Sequence, residues 1–392
     1  MPARWVCVIS GNESDAIEAG LAMTRLEMKI LKGQRIWQKI RKRLIRRKGT
    51  NRVYFPQRVK QYREMWRAVA EKTGTEFMEL SKDTWQISRG NRRTRIVNYQ
   101  MEFDNPVVLD MAGKKPLMHR LLREAGLRVP DHETFDLERL DVACEFLGRH
   151  SRGVVIKPAD GSAGLGVTTH VESVNEIRRA AVLASLYGDE LLVEEQIPGE
   201  CFRLLVLDGK MIHAVCRRGV RLRGDGRSTV RELLDERSVG ESVSEIRKTV
   251  EDRNMSFTLR CQGLEMTSIP AGGQEILIKT IPDEEDSFVE LRTVYTDTVT
   301  ENVCLEVARA VERAAGVLGA EFVGVDLIAP NVSRPLEESG GVINEINTTP
   351  ALHHHYDAAH EQFPSVAIPV LEALLSRPSS VCEVGAGPAS VV

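Results

Sequence analysis

The period of the apolar positions changes several times along the chain, and each change marks an element. Trp5 to Ile9 is a short apolar patch, so Arg4 to Ser10 reads as a first strand. Ile30, Leu31, Ile36, Trp37, Ile40 and Leu44 then recur near helical spacing, and a second helix is expected from about Gln57 to Lys72. Phe77 to Leu80 and Thr94 to Asn98 read as short strands. Lys114 to Gly126 predicts a helix closed by its glycine, with Pro130 just beyond as a stop signal.

Beyond that point strands and helices mix. Gly153 to Lys157 (GVVIK) reads as a buried strand, Gly161 to Gly166 as a glycine loop and Ser173 to Leu186 as a helix. Leu191 to Glu195 is a strand, followed by a turn at Pro198-Gly199. Phe202 to Leu207 and Lys210 to Cys216 form a hairpin about Asp208-Gly209. A long helix from Asn302 to Leu318, the strand pair Phe322 to Ile328 and Gly341 to Ile346, and a helix from Ser365 to Leu375 complete the pattern. Hairpins mixed with helices argue for an α+β fold rather than a doubly wound sheet. The expected division is an N-terminal α/β domain over 1–108, a central subdomain over 109–195, a C-terminal subdomain over 196–378 and a flexible tail over 379–392.

Composition narrows the class. Hydrophobic residues make up 42% and charged residues 28%, an ordinary globular balance. No apolar run approaches the roughly 18–20 residues that cross a bilayer, and Trp5 to Ile9 is short for a secretory signal. Seven cysteines without a C-x-x-C pair give neither a disulfide framework nor a zinc site, so a cytoplasmic protein with reduced thiols is expected. The net charge of −3 conceals a basic stretch from Arg25 to Arg67. An amphipathic basic helix there suits an anionic membrane surface, nucleic acid or an acidic polymer. It equally suits a helix packed by its Trp37 face with the basic face in water. With no zinc finger or RNP-like string beside it, nucleic acid is the weaker option.

Two stretches carry chemistry. Lys157 ends a strand and is followed by Gly161, Ser162, Gly164 and Gly166. Glycines let backbone N–H groups approach phosphate oxygens, and the ammonium adds a point charge. No Gly-Lys-Ser/Thr follows, so this is not a Walker A loop, and the preceding lysine distinguishes it from the dinucleotide fingerprint. Taken alone, the glycine cluster is equally compatible with a plain turn. Far downstream, Asp326 lies in FVGVDLIAP, and Glu345 and Asn347 lie two apart in GVINEINTTP, on one face of a strand. Two carboxylates and an amide suit magnesium, which prefers hard oxygens and keeps places for water and phosphates. A surface carboxylate pair is the alternative. Flanking Val325, Leu327, Ile343 and Ile346 speak against it, because they imply burial, and buried carboxylates without a partner are costly.

Together these features resemble the ATP-grasp superfamily over about residues 108–375. AGKKPLMHRLLREAGLRVP, VVIKPADGSAGLGV, LLVEEQIPGECFRLLVLDGK and GVDLIAP with EINTTP match its motifs in order. GDGRSTVRELLDER, SIPAGGQEILIK and GGVINEIN are most similar to the ATP-grasp domain of cyanophycin synthetases, with D-alanine–D-alanine ligases and glutathione synthetase-type ligases more distant. The resemblance implies two α+β subdomains clasping ATP. Lys115 and Lys157 would hold the phosphates and residues 161–166 would form a lid over them. Glu194, Glu195 and Ile197 would line the adenine pocket through hinge backbone groups. Arg203 and Arg217 would face the substrate or transferring phosphoryl group. Asp326, Glu345 and Asn347 would bind Mg2+, with Mn2+ as a substitute. The implied reaction is an ADP-forming ligation of a small-molecule carboxylate to an amine, on an amino acid or peptide, through an acyl phosphate.

The departures from that pattern matter as well. Cys201 stands where relatives place an acid for the ribose, with Glu200 as the substitute. The further ligase units of cyanophycin synthetases do not fit in this length, which implies one ATP site. Pro282 to Thr293 is acidic where cyanophycin synthetases have an Asn/Ser/Gly-rich loop, and reads as a solvated loop, with a different carboxylate donor as the alternative. Of His353, His354 and His355, one is expected to contact substrate and the others to lie on the surface. Cys144, Cys216, Cys261 and Cys304 read as core. The competing readings are a ligase acting on tRNA or a protein, and an ATP-binding protein without catalysis. A homo-oligomer is expected.

Overall fold

The computed structural model describes residues 29–30, 32–33, 35–37, 51–160, 166–217, 220–238, 259, 262–279, 296–355 and 363–378. The strand read at Arg4 to Ser10, Gly161, Ser162, Gly164, Cys261, the acidic stretch 282–293 and the tail 379–392 lie outside them. The chain divides into two compact units, Asp131–Gln196 with Met1–Lys48, and Gly49–Pro130 with Ile197–Val392.

The larger unit begins with helix α1 (Asn51–Thr73) and an antiparallel meander of β1 (Glu76–Glu79), β2 (Thr84–Arg89), β3 (Arg92–Val97) and β4 (Gln100–Met101). Alternation puts Trp85 and Ile87 of β2 on one face, opposite Ile96 and Thr94 of β3. That face packs on Val59, Tyr62, Met65, Trp66 and Val69 of α1 and on the last helix of the chain. The described part of the N-terminal segment therefore does not have a core of its own. Residues 59–103 share one apolar core with Leu205, Leu207, Phe322, Leu352 and the C-terminal helix. The reason is physical: a small sheet with one apolar face needs a cover, and here the rest of the larger unit supplies it. Helix α2 (Pro106–Gly113) starts at Asn105, whose side chain accepts from the backbone N–H groups of Val107 and Val108. Helix α3 (Lys115–Glu124) ends before Gly126, at φ 73°.

The smaller unit holds β5 (His132–Phe135), helix α4 (Leu140–Arg149), β6 (Val154–Pro158), β7 (Thr168–Val171), helix α5 (Val174–Ala184) and β8 (Leu191–Glu195). Its strands pair antiparallel in the order β5-β8-β6-β7. Phe135, Leu140, Phe146, Ile156, Ile177, Leu191 and Val193 fill its core. Ser173 caps α5 by accepting from the backbone of Glu176.

Near residue 30, Lys32 and Arg35 form ion pairs within the smaller unit. Ile30, Ile36 and Trp37 are 51%, 60% and 61% exposed. Lys32 instead bonds Glu138 at 2.5 Å, and Arg35 donates to the Ser185 carbonyl at 3.0 Å and pairs with Asp189. Glu138 and Asp189 of the same unit thus engage the basic side chains Lys32 and Arg35.

The larger unit resumes with β9 (Glu200–Leu207), β10 (Lys210–Arg217), β11 (Val220–Arg223), helix α6 (Val230–Ser238), β12 (Glu275–Lys279) and β13 (Thr296–Thr298). It continues with helix α7 (Leu305–Leu318), β14 (Phe322–Ala329), helix α8 (Leu336–Ser339), β15 (Val342–Thr348) and helix α9 (Ala367–Ser376). β9 and β10 turn at Asp208 and Gly209, φ 49° and 73°, the two left-handed positions that a tight hairpin needs. The central antiparallel sheet runs β13-β10-β9-β14-β15. Phe202, Leu204, Val206, Ala214, Val323, Val325, Leu327 and Ile346 point to one face, which is covered by α7 and α3. β11, β12 and α6 form a small module on Leu222, Val230, Leu234 and Ile276. Among the described residues no helix is long and apolar enough to cross a membrane.

Candidate active site

The second face of the central sheet is apolar at one end, where Leu205, Leu207 and Phe322 meet the N-terminal meander, and polar at the other. Register places its polar side chains in rows. Val215, Arg203, Asp326 and Glu345 lie opposite one another across β10, β9, β14 and β15. His213, Leu205, Gly324 and Asn347 form the next row, and Arg217, Cys201 and Ile328 the row on the other side. Directly paired residues on antiparallel strands share a face, so Asp326, Glu345 and Asn347 converge as the sequence spacing predicts.

Ion pairs hold this face together. Arg203 is buried and donates Nε to Asp326 Oδ1 and a terminal nitrogen to Oδ2, both at 2.7 Å. Burial alone would lower the Arg203 pKa, but the Asp326 carboxylate outweighs it and holds the pKa above its usual value. Asn347 donates its amide nitrogen to Asp326 Oδ2 at 3.0 Å. Lys115, buried at the start of α3, reaches Glu345 Oε1 at 3.3 Å. The helix that carries Lys115 is fixed on β15, since His119 Nε2 lies 2.9 Å from the Asn344 carbonyl oxygen. Gly324 is a glycine for a local reason: a Cβ there would come within 3.3 Å of the Arg203 side chain and 3.2 Å of Pro350.

The three adjacent histidines are not surface residues. They occupy a 3-10 turn (Leu352–His355), in which His353 and His355 are buried and His354 is half-buried. His353 Nδ1 is 2.7 Å from the Tyr62 hydroxyl of α1, and His355 Nδ1 is 2.9 Å from His213 Nδ1 on β10. Burial, helped by the charges of Arg203 and Arg217, pushes the pKa values of His354 and His355 well below the usual histidine range. Sequence reasoning passed over Tyr62 and His213. His213 was legible in principle, because it stands four residues before Arg217 on a strand and so shares its face.

Cys201 lies between Arg217 and Ile328 in register. Burial first, then the nearby Asp326 carboxylate, pushes its thiol up to about 11, so it stays protonated at neutral pH. Glu200, expected to stand in for the ribose-binding acid, is ion-paired with Arg221.

In the smaller unit Lys157 and Glu194 are both buried and paired at 2.6 Å. Glu194 was expected to act through backbone groups, yet its side chain neutralises Lys157 across β6 and β8. Glu195 accepts from the Asp131 backbone N–H at 3.0 Å. Gly166 has φ 77°, and a Cβ there would come within 2.8 Å of Tyr187, so the end of the loop requires glycine. Ile197 is buried in the larger unit.

The donor set of the larger unit fits a hard divalent cation. Among the described residues no group of three or more His, Cys, Asp or Glu could hold a metal ion, so a cation here would need the Asn347 amide beside the Asp326 and Glu345 carboxylates. Such a set leaves most of the coordination sphere to water and phosphate oxygens.

The fold is the ATP-grasp fold. The chain is similar to cyanophycin synthetase of Nostoc sp. strain PCC 7120, with 28% identity over 319 residues, covering 79% of this chain and 34% of the relative. It is also similar to the glutathione biosynthesis bifunctional protein GshAB of Listeria innocua, with 28% identity over 326 residues, 76% of this chain and 41% of that one. The crystal structure of a bifunctional glutathione synthetase from Pasteurella multocida aligns with TM-score 0.50 at 21% identity, covering 78% of this chain and 42% of that chain, and supports the fold. No family model matches. The chain spans about a third of the length of the cyanophycin synthetases it matches.

Proposed function

We propose that this protein is an ADP-forming carboxylate–amine ligase that makes an amide or peptide bond on an amino acid or peptide. The observation that carries this reading is the row Arg203, Asp326 and Glu345 across three strands, with Asn347 and Lys115 bonded into it. Phosphoryl transfer needs in-line positioning and charge neutralisation more than a covalent catalyst, and such a row supplies both.

Asp326, Glu345 and Asn347 would hold Mg2+, which neutralises phosphate charge when bound. Lys115 and Lys157 would contribute cations to the ATP phosphates, residues 161–166 would cover them, and Glu194, Glu195 and Ile197 would take the adenine. Arg203 and Arg217 would orient the substrate carboxylate as it attacks the γ-phosphorus. That attack gives an acyl phosphate and ADP, and the amine then displaces phosphate. Relatives named for cyanophycin and glutathione synthesis support an amino acid or peptide as substrate.

The test is ADP and phosphate release with Mg-ATP across pooled amino acids and short acidic peptides, followed by mass spectrometry. A product equal in mass to acid plus amine minus water is expected. ATP binding without turnover in every pool would replace this reading with a nucleotide sensor, the role that Cys201 and the engaged Glu200 would suit.

A further inference from the structure

The histidine turn has more structure than a loop needs. In a 3-10 turn successive side chains point about 120° apart, so three adjacent histidines fan out in three directions. Two of those directions are pinned. His353 bonds Tyr62 at 2.7 Å, and His355 bonds His213 at 2.9 Å. The turn is entered through Thr349 at φ 47°, a left-handed conformation that a β-branched residue adopts only when its surroundings enforce it. The third direction belongs to His354, whose ring lies against His353 with centroids 4.1 Å apart. Its Nδ1 is enclosed without a hydrogen-bond partner among the described residues. Two buried anchors and a strained entry thus present one half-buried imidazole at the polar end of the sheet, close to Arg203 and Arg217.

We propose that His354 is the general base that takes the proton from the acceptor ammonium before it attacks the acyl phosphate. This rests on the ligase reading above. An amino-acid amine is largely an ammonium at neutral pH and is no nucleophile until it loses a proton. His354 accepts that proton and becomes imidazolium. The amine lone pair attacks the acyl carbon, the C–O bond to phosphate breaks, and the second amine proton leaves with the phosphate as hydrogen phosphate. Among the described residues the charged and titratable groups that act on His354 are His353 and His355 on its own turn, Arg217 on β10 and Arg203 on β9. They and burial disfavour the imidazolium, so the imidazole is neutral at neutral pH and gives up an accepted proton readily.

Hydroxylamine separates this role from the rest of the reaction, because its nitrogen is already uncharged at neutral pH. The full chain is incubated with Mg-ATP and pooled amino acids and short acidic peptides, with either amino-acid amines or hydroxylamine as acceptor. For His354→Gln, amide formation is expected to fall by about 100-fold or more while hydroxamate stays within about twofold of the parent protein. The amide loss should shrink as pH rises towards the acceptor's own pKa. His354→Ala should behave alike, since among the described residues no side-chain hydrogen bond is lost with the ring. Unchanged amide formation in both variants would overturn the proposal. So would an equal loss of hydroxamate and amide, which would mark the turn as structural. Failure of the parent protein itself to form any hydroxamate would remove the ligase reading, a result distinguishable because no substitution is involved.

Discussion

Lys157–Glu194 in the smaller unit and Arg203–Asp326 in the larger unit are both buried cation–carboxylate pairs on neighbouring strands, and they differ in what surrounds them. Lys157 and Glu194 sit 2.6 Å apart on β6 and β8, on the face opposite Val154, Ile156, Leu191 and Val193, which fill an apolar core. Arg203 and Asp326 belong to a row that continues into Glu345, Lys115 and Asn347. Taking charges out of water costs several kcal/mol per ion, and a buried pair is often no more stable than apolar side chains of the same volume. Neither pair is therefore explained by stability alone. The first joins one cation to one carboxylate across two strands, whereas the second belongs to a network of several charges on one sheet face.

Substitutions can break this contrast. The largest effect is expected from Glu345→Ala, which should lower ADP formation by about 10²–10³-fold while leaving the fold intact. Full activity in a folded Glu345→Ala protein would contradict the site. Next in size, Lys157→Met leaves Glu194 buried without its cation and should destabilise the chain by roughly 3–5 kcal/mol in denaturant titrations. Adding Glu194→Leu should recover most of that stability and none of the activity. The matching double change Arg203→Met with Asp326→Leu should recover less, because Asn347 then loses the oxygen that accepts its N–H. Equal recovery in the two pairs would show that the row is no more connected than the Lys157–Glu194 pair.

A smaller effect is expected from pH. His354 and His355 have pKa values well below the usual histidine value in the folded chain. Their contribution to stability is present above the unfolded value of about 6.5 and is lost as pH falls below it, because the unfolded chain then binds protons that the folded chain refuses. Tm should therefore decline between about pH 7 and pH 5, and His354→Gln should flatten that decline. An unchanged slope would show that His354 titrates alike in both states. The smallest effect belongs to Trp37→Ala, which should change stability by no more than about 0.5 kcal/mol, since the ring is 61% exposed.

The sequence showed the site's carboxylates more clearly than their partners. Glu345 and Asn347 two apart on an apolar strand, with Asp326 on another, required a common face, and the register places them on one. The hairpin at Asp208-Gly209 was equally legible, because only left-handed residues close it. What stayed hidden depended on tertiary contact. The strand Thr84–Arg89 has only two apolar residues, and its partner is a distant C-terminal helix, so residues 1–108 read as a separate domain. Helix α2 and the β11–β12 module are short and were not read at all. The histidines read as mostly surface because a polar run after a strand normally is. Their burial depends on Tyr62, 291 positions away in the chain, and on His213. Glu194 read as a hinge residue because pairing with Lys157 requires knowing that β6 lies beside β8.

The most direct test of the central claim follows one oxygen atom. Pooled amino acids and peptides carrying ¹⁸O in their carboxylates are incubated with Mg-ATP and amine acceptors, and the released phosphate is weighed. Attack of the carboxylate on the γ-phosphorus predicts one ¹⁸O in the phosphate, together with ADP. Phosphate free of label, or release of pyrophosphate with AMP, would contradict the acyl phosphate route and with it this account of the site.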